Sequence, residues 1–166
     1  MNKINFKKIL QNFIIILAIF LTDRISKIYI LKIAQIENSV DIYLTEYLNF
    51  YLIWNKGIAF GMLSFNETSI YNTITIIISL ITVIILVIAI RNKGFKQYSL
   101  LFIFGGSLGN LFDRIYYSAV PDFIDLHYKS FHWFIFNVAD IFITFGVICL
   151  IFVEIFYKNN EYEKNI

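Results

Sequence analysis

Apolar positions gather into four long stretches, with polar positions between them. The cleanest is residues 71–90, YNTITIIISLITVIILVIAI, twenty residues without a formal charge. At ~1.5 Å per residue it is long enough for the ~30 Å hydrocarbon core of a bilayer. Three further stretches are apolar but interrupted: residues 8–30, polar toward their end; residues 98–116, through SLLFIFGGSLGNLF; and residues 133–157, WFIFNVADIFITFGVICLIFVEIFY. Each predicts a spanning helix, because an open sheet edge leaves backbone groups unpaired in lipid. The loop at residues 34–69 is more polar, and NFYLIWNKGIAF within it has the aromatic and β-branched content of a strand. A short sheet there offers an edge to a peptide. The expectation is an all-α integral membrane protein with four transmembrane helices and a single domain over residues 1–166.

The basic residues give the direction. Lys3, Lys7 and Lys8 precede the first stretch, Arg91, Lys93 and Lys96 separate the second from the third, and Lys158 and Lys164 follow the fourth. The positive-inside rule makes these segments cytoplasmic, so both termini are expected inside and the 34–69 loop outside. The first stretch has the basic start of a signal peptide but no small-x-small cleavage pattern, and Asp23 and Arg24 follow it directly. A retained helix is therefore expected.

Composition sharpens this. Only 16% of residues are charged while 58% are hydrophobic, a balance rare in soluble domains of this length. The net charge of +2 and the lack of a basic patch interleaved with stacking aromatics give no footing for nucleic acid. One cysteine makes neither an internal disulfide nor a zinc cluster. His127 and His132 lie among aromatics with no third ligand at suitable spacing, which leaves them weak metal candidates.

Against this apolar background the acids fall at one depth. Asp140 lies eighteen residues before Lys158, ~27 Å from the inner surface. Asp113 lies fifteen residues after Tyr98 and Asp23 fifteen after Lys8, each ~22 Å along its helix. Asp122 and Asp125 are expected in the outer loop between the third and fourth helices. Ionisable groups at membrane depth are costly and by default face the bundle interior, where they mark function. Plainer readings exist. Asp23 and Lys27 are i,i+4 and can pair with each other, as can Glu154 and Lys158. Asp113 with Arg114 reads as an interfacial anchor pair. Asp140 fits the plain reading least, because Asn137, Asp140 and Thr144 share one helix face that carries no basic residue. Gly105 and Gly109 form a GxxxG pair for close helix approach, and Asn110 and Arg114 continue a polar face of the same helix. On these residues alone three classes compete: an intramembrane aspartic hydrolase, a small proton-coupled carrier and a non-catalytic scaffold.

Taken together the motifs resemble the lipoprotein signal peptidase (signal peptidase II) family of bacterial membrane aspartic proteases. The carrying elements are TDRISK with Asp23 and Lys27; NKGIAFG with Asn55, Gly57, Ala59 and Phe60; GGSLGNLFDR with Gly105, Gly106, Gly109, Asn110, Asp113 and Arg114; VPDFID with Asp122; and FNVAD with Asn137, Ala139 and Asp140. Each is weak alone, and five in order along nearly the whole chain are not. One departure is Pro121, where an aliphatic residue is more usual. The resemblance implies Asp122 and Asp140 as a catalytic dyad and Asn55, Gly57, Asn110, Arg114 and Asn137 as substrate-binding and supporting groups. It implies a structural role for Asp23 and Lys27, and Asp125 outside the dyad. It further implies an extracytoplasmic β-cradle with an amphipathic segment over the site, and needs no metal or cofactor. Its implied substrate is a diacylglyceryl-modified prolipoprotein, cut just before the lipidated cysteine, and its setting the bacterial inner membrane, with membrane lipids as partners and a monomeric enzyme.

Overall fold

The computed structural model describes residues 6–57, 68–129 and 131–163. Lys3, Ala59, Phe60 and Lys164 lie outside the described residues. Among the described residues four helices and four strands follow one another as α1 (Phe6–Glu37), β1 (Asp41–Thr45), β2 (Leu48–Asn55), α2 (Thr68–Arg91), α3 (Gly94–Tyr117), β3 (Val120–Tyr128), β4 (Phe131–Phe136) and α4 (Val138–Glu163). The strands make one antiparallel sheet in the order β1-β2-β3-β4. The molecule is thus mostly helical with a small sheet.

The helices extend beyond their expected limits on most sides, with one correction. Residues 133–137 are not the start of the last helix. Phe131–Phe136 form β4, and α4 begins at Val138. Aromatic and apolar residues without a break serve a strand as readily as a helix, so periodicity alone does not separate them. Likewise Asp122 and Asp125 sit on β3 rather than in an irregular loop.

α3 lies at the centre and packs against the other three helices. Its small residues allow this. A Cβ on Gly106 would stand 2.5 Å from the carbonyl oxygen of Ala139, and one on Gly109 would stand 2.7 Å from Asp23 Oδ2. Both are closer than any side chain tolerates, so α1 and α4 reach the α3 backbone only because Cβ is missing there. The turn from α2 into α3 is only two residues, Asn92 and Lys93, and Gly94 takes φ +64, where glycine is free of strain.

Burial is inverted relative to a soluble protein. Isoleucine, leucine and phenylalanine line the outside of α1, α2 and α4, with Ile76, Leu80 and Ile90 each at least 60% exposed. Inside stand Asp23, Lys27, Asp113, Asp122, Asp125 and Asn137, each at most 1% exposed. Two apolar clusters bracket this polar layer. Ala89, Leu100 and Leu101 close the α2–α3 end, and Ile30, Val40 and Phe123 join α1 to the sheet. Among the described residues two helices, Ser69–Arg91 and Val138–Phe156, are long and apolar enough to cross a membrane by length and composition.

Candidate active site

Strand register sets the first acid. The β2–β3 pairing shifts between Phe50 and Ile53, with one extra residue on β2. Without that bulge Asn55 would fall opposite Ala119 and point to the face away from Asp122. With it, Asn55 pairs with Val120 and Ile53 with Asp122, so Asn55 and Asp122 share a face as diagonal neighbours. Asn55 Nδ2 then donates to Asp122 Oδ2 at 2.8 Å.

A helix cap sets the second acid. Asn137 precedes α4, and its Oδ1 accepts from the Asp140 N–H at 3.2 Å, while Asp140 Oδ2 accepts from the Asn137 N–H at 3.1 Å. This reciprocal pair is a capping box: two N-terminal donors without partners in the helix bond to side chains. Asn137 has a further role. Its Nδ2 donates to Asp122 Oδ1 at 2.6 Å, so one residue ties the two carboxyls together, Asp122 through its side chain and Asp140 through its backbone N–H. Asn110 Nδ2 from α3 donates to Asp140 Oδ1 at 2.8 Å.

Both carboxyls face one cavity of about 230 Å³, lined also by Asn55, Asn110, Arg114 and Asn137. Among the described residues no cation bonds to either acid. Asp122 is pushed up to about 7, first by burial and second by the neighbouring Asp140 charge, against the opposing pull of the Asn137 and Asn55 amides and of more distant Lys27. Ser107 lines the same cavity. The sequence carried a signal for it, because Ser107, Asn110 and Arg114 stand at i, i+3 and i+7 on α3.

Gly57 is held from two sides. Its N–H donates to Asn55 Oδ1 at 2.8 Å, and its carbonyl accepts from Arg114 Nη2. Arg114 is itself packed under Tyr71, its Cζ 5.7 Å from the ring centroid, and the Tyr71 hydroxyl donates to the Arg114 carbonyl at 3.1 Å. Tyr71 was not foreseen, because nothing in the sequence shows which face of α2 meets α3.

Next to this site lies a second group of buried charges. Asp23 and Lys27 on α1 meet Asp113 on α3: Lys27 Nζ donates to Asp23 Oδ2 at 3.0 Å, to Asp113 Oδ2 at 2.7 Å and to Asn110 Oδ1 at 3.1 Å. Arg24, unremarked in the sequence, donates to Asp113 Oδ2 at 2.7 Å and to Asp23 Oδ2 at 2.9 Å. The reading of Asp113 with Arg114 as an anchor pair is therefore wrong. Adjacent residues on a helix point ~100° apart, and Asp113 turns to α1 while Arg114 turns to Gly57. Asp23 Oδ1 also accepts from the Ala139 N–H at 3.0 Å, which adds a second carboxylate to the N-terminus of α4. Glu154 pairs with Lys96 of α3 rather than serving only its own helix.

Described residues of five motifs spread over the chain therefore converge on one polar layer. The sequence profile described as Signal peptidase (SPase) II matches residues 15–156. The chain belongs to the signal peptidase II family. Curated relatives within reach of this family are named lipoprotein signal peptidase. The one from Pelagibacter ubique (strain HTCC1062) is 57% identical over 166 residues, covering 99% of this chain and 100% of its own. That from Anaplasma phagocytophilum (strain HZ) is 38% identical over 151 residues, covering 90% and 94%. Among solved structures, a bacterial membrane enzyme determined by the in meso method superposes with a TM-score of 0.70 at 26% identity, covering 90% of each chain. A second bacterial membrane enzyme gives 0.64 at 27% identity. Membership in the signal peptidase II family makes the chain a peptidase and sets aside the carrier and scaffold readings.

Proposed function

We propose that this chain removes signal peptides from prolipoproteins as an aspartic endopeptidase, with Asp122 and Asp140 as its catalytic dyad. The observation that carries the reading is the pair of buried carboxyls, bridged by Asn137, facing one cavity with amides rather than cations as their partners. Two such acids do not both ionise readily, so at working pH one keeps a proton. The ionised member takes a proton from a bound water, and the water attacks the scissile carbonyl carbon. The protonated member donates a hydrogen bond to the carbonyl oxygen as charge builds there. Collapse of the tetrahedral species breaks the C–N bond as the amine takes up a proton. The steps belong to the pair, and the resting proton is shared between them. No nucleophilic side chain enters.

Asn55, Asn110 and Asn137 hold the dyad. Arg114 and Gly57 shape the entry to the cavity, and Asp23 with Lys27 fixes α1 against α3 and α4. The substrate is a diacylglyceryl-modified precursor, cut just before the lipidated cysteine. An apolar groove of about 320 Å³ supports this, since it runs from Asp140 along Phe134, Phe136, Ile141, Phe145 and Ile148 and suits an acyl chain better than a polar peptide. Four helices span the bacterial inner membrane in one monomeric domain, with both termini cytoplasmic and the dyad near the outer face. The inverted burial supports the spans: the charges in the middle of α1 and toward the end of α3, Asp23, Arg24, Lys27 and Asp113, point inward and are paired.

The test is to incubate the purified chain with a lipid-modified prolipoprotein and with its unmodified counterpart. Cleavage of the first and not the second is expected. Equal cleavage of both would remove the lipid from the recognition, and cleavage of neither would overturn the proposed activity.

A further inference from the structure

The sheet carries a second polar cluster that the peptidase reading leaves unused. Asp125 and His127 lie two apart on β3, on the face alternate to Asp122. The β3–β4 pairing then shifts between Leu126 and His127, where Trp133 is the extra residue on β4. In the unshifted register His132 would stand opposite Tyr128, on the other face. The bulge places it opposite His127 instead, so a local irregularity brings a second imidazole onto the face of Asp125 and the first. This is the same device that brings Asn55 to Asp122.

The atoms are close. His132 Nδ1 is 2.8 Å from Asp125 Oδ2, His127 Nδ1 is 3.7 Å from the same oxygen, and one donor atom from each residue lies within 4.8 Å of the others. Those two separations bracket ~3.3 Å, the ligand–ligand edge of a tetrahedron with ~2.0 Å metal bonds. The Asp125 side chain is 2% exposed and that of His127 is 8% exposed. Among the described residues their Oδ1 and Nδ1 atoms are buried without a hydrogen-bond partner, as is Oδ1 of Asn49, which stands opposite Asp125 on β2. A lone His132–Asp125 hydrogen bond leaves those atoms unsatisfied, whereas a cation answers several acceptors at once.

We propose that Asp125, His127 and His132 bind one divalent transition-metal ion of the zinc class. Two imidazoles and one carboxylate match that class rather than magnesium or calcium, which take all-oxygen sets. Three protein ligands, with His132 55% exposed, leave a coordination position open to solvent for water. The ion clamps the outer end of β3 to β4, the hairpin that carries Asp122 at one end and leads to Asn137 at the other. It takes no part in the peptidase chemistry, and the proposal does not rest on it.

The experiment is calorimetric titration of untagged, chelator-stripped full-length protein in detergent with zinc chloride, repeated with cobalt(II) to read the visible bands of its coordination geometry. One equivalent is expected, with a Tm that rises as zinc is added. His132→Gln, at a half-exposed position that leaves the fold intact, is expected to weaken binding at least about tenfold and to alter the cobalt spectrum. His127→Gln and Asp125→Asn are expected to do the same, and Asp122→Asn to bind like the parent. A protein that takes up no zinc overturns the proposal. So does binding that survives His132→Gln unchanged in a variant with parental metal-free Tm, or that falls equally in Asp122→Asn.

Discussion

Four aspartates of this chain, Asp23, Asp113, Asp122 and Asp140, are buried in adjoining parts of one polar layer, yet they live in two different electrostatic settings. Asp23 and Asp113 share Arg24 and Lys27, two anions against two cations, all from α1 and α3. Among the described residues Asp122 and Asp140 have only amide and backbone donors: Asn55, Asn110 and Asn137. Amides stabilise a carboxylate without neutralising it, so the second pair holds an unbalanced charge that a proton can relieve. The first pair is matched by two cations whose bonds hold α1 to α3. Burial alone therefore does not mark a reactive acid; burial without a counter-charge does.

This contrast can be broken on the ion-paired side first. Lys27→Met strands Asp23 and Asp113 with a single arginine, and losing one partner of a buried ionic cluster is expected to destabilise by about 3–5 kcal/mol. Chemical denaturation in detergent reads it, and a change under about 1 kcal/mol would mean the cluster is not integral to the fold. Next comes the backbone contact that brings the two groups together. Gly106→Ala places a Cβ against the Ala139 carbonyl and is expected to cost about 1–3 kcal/mol, with a loss of activity as α4 shifts. Asn137→Ala is sharper. It removes an N-cap worth about 1 kcal/mol. It also removes the bond to Asp122, and losing about 1.5–3 kcal/mol of charge-assisted bonding lowers kcat/KM by about 10–100-fold. Asn137→Ser keeps the cap and recovers stability but not rate.

A pH slope tests the dyad side of the contrast without altering its packing. Asp122 moves from 3.8 unfolded to about 7 folded, so the folded chain binds a proton that the unfolded chain has released. The stability this contributes is fully present below about 3.8 and is lost as pH rises through about 7. The Tm of the parent is thus expected to fall over that window relative to Asp122→Asn, by thermal melts at matched ionic strength.

Much of this was legible in the sequence, unevenly. Four helices and the strand at residues 48–55 follow from apolar runs and composition, because those signals are local. The polar face of Asn137, Asp140 and Thr144 pointed to Asp140 for the same reason, although the helix start was misplaced: the helix was expected to begin near residue 133, whereas the Asn of NVAD and the Asp three residues later form a capping box at its start. Asp122 became a candidate only through resemblance, since its position depends on a bulge in β2, a strand far away in sequence. Arg24, Tyr71 and the company of Asp125 and His132 were missed on similar grounds. Each depends on how one element is rotated or registered against another, and neither quantity is written in local periodicity.

The most direct measurement takes Asp23→Asn, Asp113→Asn, Asp122→Asn and Asp140→Asn through one protocol, with folded fraction and cleavage of a lipid-modified prolipoprotein measured on the same samples. The account predicts that Asp122→Asn and Asp140→Asn are folded and lose cleavage by about 10³-fold or more, a barrier increase of at least ~4 kcal/mol. It predicts that Asp23→Asn and Asp113→Asn are destabilised but keep activity per folded molecule. A folded Asp122→Asn or Asp140→Asn enzyme that cleaves at the parental rate, or an Asp23→Asn enzyme that is stable and equally dead, would contradict it.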